Sequence, residues 1–366
     1  MGKGEEDEKP FSQTLKKGFF ILNLGTLLPL LFANLAPYIL ATDAWIVNFC
    51  SLFFPIWILI PLVWIILWLP FQKFYSVFNF IVILFNFHNL LNTVQFNSPE
   101  AYSEKDIKVL SYNVDAFEYR LSKFDSLAKF ISAQHPDIVC LQEVFDVRNA
   151  KSKRAMNVLA EKLGFENIFF VELLPGTRFG MAILSRYPFE KTKSLTRCGK
   201  DTQNGIIYAD IKVYGKEVRI YNLHLESYRL SEEQKGILME KDSEQRNVRG
   251  VWKTLKKMLK SWRKQEYQIA KLEEDRKKWK GSVIICGDFN NPPYNYVYRT
   301  VKDQLQDCFR EKGRGMGLTY GKGFANFRID YVMASKQFRT IDFQTLPTHL
   351  SDHQPVLSTI RFKFHP

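Results

Sequence analysis

The sequence predicts a helical membrane region followed by a single α/β domain. From Gly18 to Pro99 the only formal charges are Asp43 and Lys73. After Glu100 charges are spread as in an ordinary globular chain. From Ile107 onward, short β-rich runs alternate with helical stretches and loops. The shift near residue 100 divides the chain into a tail (1–17), a membrane region of two to three helices (18–99) and a globular part (100–366).

The first segment carries its own balance. Residues 1–17 hold four lysines and four acids, and Asp43 cancels Lys73. The formal charge of +13 therefore belongs to the part after residue 100. Such a surplus suits an anionic partner: phosphate groups, nucleic acid or an acidic lipid surface. A solubilising excess is the bland alternative. The five cysteines, at 50, 140, 198, 286 and 308, include no close pair, so zinc-site spacing is absent. Their odd number argues against a disulfide framework. Cys140 and Cys286 lie in apolar runs and read as small core residues.

Crossing a bilayer takes about 20 apolar residues. Three segments qualify: Phe19–Leu40, Trp45–Leu69 and Phe74–Leu91. The second is the strongest, with Trp57, Trp64 and Trp68 among Ile, Leu and Val, although Pro55 and Pro61 kink it. The third is the weakest, because Asn79, Asn86, His88 and Asn89 must face neighbouring helices. Lys16 and Lys17 precede the first segment, and Lys73 lies between the second and third. Three crossings with the N-terminus inside put these lysines in the cytoplasm and residues 100–366 outside it. A plasma (inner) membrane location is expected. If the third segment does not cross, the globular part is cytoplasmic.

In the globular part, Ile107–Tyr112, Ile138–Leu141, Met181–Ser185, Val218–Asn222 and Val283–Cys286 read as buried strands. Polar residues follow several of them: Asn113, Glu143, His224 and Asp288. Strand ends that each present one polar group can share an edge and form a site. Glu143 can hold a hard cation such as Mg²⁺, which prefers oxygen ligands and polarises a phosphoryl oxygen. Asp288 can orient or deprotonate an attacking water, and Asn290, two residues on, can donate to a phosphate oxygen. Asp352-His353 adds a carboxylate and an imidazole, and Asp330 can fix a histidine tautomer. Alone, each of these is more often a turn residue or a satisfied strand-end group.

The ordered set is more specific than its parts. It runs Ser111-Tyr112-Asn113, Leu141-Gln142-Glu143, Ile183-Leu184-Ser185-Arg186-Tyr187-Pro188, Asn222-Leu223-His224, Gly287-Asp288-Phe289-Asn290, Arg328-Ile329-Asp330-Tyr331 and Ser351-Asp352-His353. This resembles the endonuclease/exonuclease/phosphatase superfamily over about residues 105–363. The resemblance implies a four-layer α/β sandwich, two central sheets flanked by helices, with the site at one edge. It implies Glu143 as principal ligand of Mg²⁺ (Mn²⁺ as the alternative), with Asn113 and Asp352 nearby, and no organic cofactor. It implies Asp288 positioning or activating the water, and Asn113, His224 and Asn290 on the scissile phosphate. His353 would stabilise the transition state, with Asp330 orienting a catalytic histidine. Histidine at 224 resembles the deoxyribonuclease and sphingomyelinase branches. With its N-terminal spans, the whole chain resembles membrane-bound bacterial members of the superfamily and is expected to be a monomer.

Between His224 and Asp288 lies a basic insertion, about residues 228–280, with 16 basic and nine acidic residues. Val251, Leu255, Met258, Leu259 and Trp262 recur at helical spacing between lysines, which predicts a basic amphipathic helix. Its stripe either packs on its own domain or lies on an acidic bilayer, and a nucleic-acid groove is a further use. Three functions follow. One is a phosphoesterase acting on a lipid or its headgroup, the second a membrane-anchored nuclease, the third a scaffold without activity. Arg178, Arg310, Lys312, Arg314, Tyr320 and Lys322 are candidates for a loop rim that tracks a polynucleotide. The complete motif set argues against the scaffold.

Overall fold

The computed structural model describes residues 10–115, 121–146, 154–197, 203–228, 248–322 and 325–363. The N-terminal region contains helices α1 (Pro10–Leu35), α2 (Trp45–Leu52), α3 (Phe54–Trp57), α4 (Leu59–Trp68), α5 (Lys73–Phe85) and α6 (Phe87–Thr93). A 3-10 turn at Ala36–Tyr38 extends α1. Gln13–Tyr38 is long and apolar enough to cross a membrane, with a mean hydropathy of 1.9. The second segment, expected to be the strongest, is broken instead: α2 bends by 71° from Phe54–Trp68. Pro55 explains the break. It has no N–H for the helical ladder and its ring crowds the preceding turn, so α2 ends at Leu52. The third bends by 57° at Asn86, whose side-chain amide donates back to the Val82 carbonyl.

Polar side chains join these helices. Asn23 in α1 and Asn79 in α5 donate to each other at 3.1 and 2.9 Å, and Trp68 Nε1 donates to Asn23 Oδ1. Asn34 Nδ2 donates to Asn86 Oδ1 at 2.6 Å, and Asn89 Nδ2 to Asn34 Oδ1 at 2.8 Å. His88 is exposed rather than turned inward. We predict that Asn23→Leu or Asn79→Leu alone destabilises the bundle by about 1 kcal/mol, because each strands a buried amide. The double replacement restores part of that loss, which a thermal-unfolding double-mutant cycle in detergent would measure.

The globular part is built on two six-stranded sheets. Its strands, including two short pairs outside the sheets, are β1 (Gln95–Phe96), β2 (Ile107–Asn113), β3 (Ile138–Phe145), β4 (Asn167–Leu174), β5 (Phe179–Ser185), β6 (Phe189–Arg197), β7 (Gly205–Val213) and β8 (Lys216–His224). They continue as β9 (Ser282–Asp288), β10 (Leu305–Asp307), β11 (Arg314–Gly315), β12 (Tyr320–Lys322), β13 (Ala325–Phe327), β14 (Asp330–Ser335), β15 (Phe338–Thr345) and β16 (Val356–Phe362). One sheet has the order β15-β16-β2-β3-β5-β4, the other β10-β14-β9-β8-β7-β6. Only β2–β3 and β8–β9 are parallel within them.

Burial explains the layers. Alternate residues of a strand face opposite sides. Ile107, Val109, Cys140 and Ile183 pack against Ile207, Ile220, Ile284 and Val332 between the sheets. On the outer face of the first sheet, Leu110, Tyr112 and Leu141 meet α7 (Leu121–Ser132) and α8 (Ala155–Leu163). Outside the second, Tyr208, Tyr221 and Ile285 meet α9 (Val248–Arg276) and α10 (Tyr296–Lys302). The result is the expected four-layer α/β sandwich. Strands carrying apolar residues on both faces are what such a double burial requires.

The two regions are in direct contact. Tyr294 lies in a cluster with Leu30, Ala33, Phe54 and Ile58, and its hydroxyl is 2.7 Å from Thr93 Oγ1. Asn92 Nδ2 donates to the Pro293 carbonyl, and Arg328 Nη2 donates to the Asn92 carbonyl, both at 3.0 Å. The backbone and hydroxyl of Thr42 both donate to the Glu266 carboxylate. The insertion is helical as expected over Val248–Arg276, while residues 229–247 of it lie outside the described residues. Its stripe is already covered: Met258 and Trp262 pack with Ala41 and Leu52, and Ile269 and Leu272 with the second sheet.

Candidate active site

The two sheets contribute polar residues to one shared edge. The strands run further than expected, so Asn113, His224 and Asp288 are final strand residues rather than loop residues. Pairing with neighbours is what extends them. The parallel register of β8 and β9 sets His224 against Asp288, and the antiparallel register of β14 sets Asp330 against Asp288.

Local backbone geometry then aims the side chains. Gly287 has φ +133, and a Cβ there would meet the Leu223 carbonyl oxygen at 1.9 Å. Glycine alone allows this close passage beside β8. Glu143 sits where the β3–β5 register shifts, with φ +55. A bulge of this kind re-aims one side chain at a sheet edge. Asn290 also has a left-handed backbone (φ +52), in a turn closed by its N–H donating to Asp288 Oδ1 at 2.8 Å. Non-glycine residues rarely sit here, and their clustering in one edge is characteristic of a site.

The side chains form a connected set. Asn113 Nδ2 donates to Glu143 Oε1 at 3.3 Å and to Asp288 Oδ2 at 3.0 Å. His224 Nε2 lies 3.3 Å from Glu143 Oε1 and 3.8 Å from Asp288 Oδ2, and among the described residues its buried Nδ1 has no partner. His353 Nδ1 lies 2.9 Å from Asp330 Oδ2, and its Nε2 is 3.8 Å from Asp288 Oδ2. Asn290 Nδ2 spends both hydrogens within the protein, on the Leu225 carbonyl and Asp288 Oδ2. Asp352 is half-buried beside His353, and among the described residues no hydrogen bond joins it to Glu143.

Electrostatics separates the carboxylates. Burial, with Asp330 nearby, pushes Asp288 up to about 6 against the opposing histidines. Burial also disfavours the Glu143 charge, but His224 and Asn113 outweigh it and hold its pKa below the ordinary value. Burial opposes the charged form of His353, yet Asp330 and Asp288 raise it to about 10. His224 is likewise raised, because Glu143 outweighs its burial. Two carboxyl groups driven apart in this way can divide the work of proton transfer and charge holding. Asp288, Asp330 and His353 also offer ligand atoms within 4.8 Å of one another, a grouping able to hold a metal ion.

Several supporting residues are not evident from the sequence. Gln142 Nε2 donates to Asn222 Oδ1 at 2.6 Å and to Ser111 Oγ at 3.2 Å, linking the two sheets beneath the site. Asn222 Nδ2 donates onward to the Leu141 and Ala182 carbonyls. Their signal lies in the motifs themselves: Ser111 and Asn222 stand two residues before Asn113 and His224, on the same strand face. Thr319 Oγ1 accepts from the N–H groups of Ile329 and Asp330. Tyr320, a rim candidate, lies with its ring 4.7 Å from that of His353. The other candidates differ. Arg178 stands at the β4–β5 turn with Glu172. Lys312 pairs with Glu100, Arg314 donates to the Asn97 carbonyl and the Arg310 carbonyl accepts from Asn97, so this group holds the linker. The Lys322 side chain lies outside the described residues.

Residues 110–353 match the Endonuclease/Exonuclease/phosphatase family. The chain belongs to this family. The family's members hydrolyse phosphate esters and typically depend on a divalent metal. Residues 16–93 match a separate domain of unknown function. Among solved structures, a family member from Bacteroides vulgatus is similar at 16% identity and a TM-score of 0.53, covering 71% of this chain and all of that one. One from Beutenbergia cavernae shows 20% identity and 0.51, covering 71% and 72%. A humanized D. rerio TDP2 shows 15% identity and 0.52, covering 70% and 100%. At these identities the likeness concerns the fold. No curated protein sequence matches the chain.

Within this family frame the Asp330–His353 pair gives a direct test. We predict that Asp330→Asn lowers turnover about 100-fold, since an amide no longer balances the charge of the imidazolium that Asp330 orients. The pH profile of hydrolysis should change shape as well, because losing the Asp330 charge lowers the His353 pKa.

Proposed function

We propose that the chain is a membrane-anchored, divalent-metal-dependent phosphodiesterase acting on a lipid or its headgroup. The observation that carries this reading is the seat of the catalytic loop. Tyr294, four residues after Asn290, enters the N-terminal helices beside Phe54 and Thr93. A site braced on the membrane helices works where lipid headgroups are concentrated, which raises their effective concentration.

The donor set fits a hard cation. Glu143 is more accessible than its neighbours, at 26% side-chain exposure against 1–2% for Asp288 and His224. Its Oε1 takes the protein partners and, among the described residues, Oε2 has none. Carboxylate and amide oxygens suit Mg²⁺ or Mn²⁺. Glu143, with Asn113 and Asp352 at its sides, would hold the ion. We prefer this set to Asp288, Asp330 and His353, which are all buried and two of which already pair with each other at 2.9 Å. When bound, the ion polarises a phosphoryl oxygen and offsets transition-state charge.

The chain's own residues do the rest. Asp288, raised towards neutrality, takes the proton of the attacking water. Asn290 braces Asp288 and reaches the phosphate only by giving up its Leu225 bond. His224 contacts the phosphate, and Asn113 reaches it by releasing Glu143 or Asp288. His353, kept protonated and oriented by Asp330, donates to the oxygen on which charge develops. The chain would sit in the plasma membrane with this domain outside the cytoplasm, and a cytoplasm-only reporter fused at Pro366 that proved active would contradict that topology.

A nuclease is the second reading, favoured by the basic surplus of the globular part. The test is hydrolysis by the full chain in detergent with Mg²⁺ against phospholipids, sphingomyelin-type lipids, inositol phosphates, plasmid DNA and RNA. Lipid turnover alone supports the first reading, and polynucleotide turnover alone replaces it with the second. Glu143→Gln should raise the half-saturating Mg²⁺ concentration about 10- to 100-fold, beyond any change in turnover at saturation.

A further inference from the structure

The long basic helix α9 is not used by the reaction, and its two faces have different fates. Leu255, Met258, Trp262 and Ile269 are buried. The face opposite carries Lys253, Lys256, Lys260 and Arg263, all exposed. Their spacing of three and four residues places them in one stripe. Among the described residues none of the four has a hydrogen-bond or ion-pair partner. Lys277, Lys278 and Lys280, at or beyond the other end of the helix, are exposed as well. They lie about 30 Å away by helical rise.

The position of the first stripe selects its partner. The Trp252 ring, 51% exposed, meets Trp45 with centroids 6.1 Å apart. Trp45 opens α2 only seven residues after Tyr38, where the candidate span Gln13–Tyr38 ends. Residues just past the end of a span lie at headgroup level, where tryptophan is favoured. Thr42, in the same connection, is fixed to Glu266 of α9 by two hydrogen bonds. The helix is thereby held at the membrane surface with an unpaired cationic stripe along it. Lysines and arginines so placed attract acidic lipid within a Debye length.

We propose that the first half of α9 is a binding face for acidic phospholipid headgroups. Trp45 and Trp252 occupy the interface, and Lys253, Lys256, Lys260 and Arg263 take the phosphates. This rests on the reading that α1 crosses the membrane, and is independent of which ester is cleaved. It differs from a simple amphipathic anchor, because the apolar stripe of α9 is spent on protein.

The test uses the full chain in lipid nanodiscs of phosphatidylcholine, with or without phosphatidylglycerol. Tryptophan emission is compared with that of Trp252→Phe, and the difference isolates Trp252. Bromine on the phosphatidylglycerol chains should quench that component, more than bromine on phosphatidylcholine in discs lacking the acidic lipid. Lys253→Glu/Lys256→Glu/Lys260→Glu should abolish the difference, as should high salt. The matched reversal of Lys277, Lys278 and Lys280 should leave it intact. Equal quenching in both discs, no quenching in either, or insensitivity to the first reversal overturns the proposal. So does a duplex oligonucleotide that binds through the same lysines while lipid composition has no effect. Alkaline extraction of membranes separates the two failures: a released chain removes the membrane reading itself, whereas a retained chain without quenching removes only the lipid face.

Discussion

Asp288→Asn in the full chain is expected to lower turnover about 1,000-fold while the protein stays folded. The substitution keeps the shape of the side chain and removes the proton acceptor. Asp288 is the hub of the site, in contact with Asn113 and the Asn290 backbone and facing both histidines. Its carboxyl group is pushed up to about 6 by burial and Asp330. It is therefore a better base than a surface carboxylate and is still ionised near neutrality. The measurement is single-turnover hydrolysis of whichever phosphodiester the substrate comparison identifies, with thermal unfolding as a folding control. Turnover within tenfold of the parent chain would rule out Asp288 as the base.

The largest effect on stability is expected from Gly287→Ala. The added Cβ would lie 1.9 Å from the Leu223 carbonyl oxygen, on a central strand where neither neighbour can withdraw. Its backbone, at φ +133, also resists any side chain. Together these cost on the order of 3 kcal/mol or more. Gly164→Ala makes a useful contrast. That residue caps α8 at φ +70 with open space around it, so only the backbone preference, about 1 kcal/mol, is lost. Chemical denaturation in detergent compares the two, and equal losses would contradict the steric account.

Much of this architecture is written locally. Strands such as Ile138–Phe145 and Ser282–Asp288 carry apolar residues on both faces, which signals double burial without reference to partners. Polar residues at the ends of such strands are legible for the same reason. The structure joins Asn113, Glu143, His224, Asp288, Asn290, Asp330 and His353, while among the described residues no hydrogen bond joins Asp352 to Glu143. What is not legible depends on distant partners. Hydropathy averages over Pro55 and Asn86, so it scores two broken segments as continuous. Gln142 reads as one polar residue in an apolar strand until Asn222 arrives from the other sheet. The apolar stripe of α9 is visible in the sequence, but nothing in its period says that Ala41 and Leu52 will cover it.

That covering has a practical side. Tyr294, Met258 and Trp262 are buried in part because residues 30–58 lie over them. A fragment trimmed to begin near residue 100 would present these side chains to water, and Arg328 Nη2 would lose the Asn92 carbonyl that now accepts from it. Such a truncated protein is expected to aggregate or to cling to detergent, for reasons unrelated to its chemistry. Purification should therefore keep the helices attached, since the catalytic domain and the helices share one solubility.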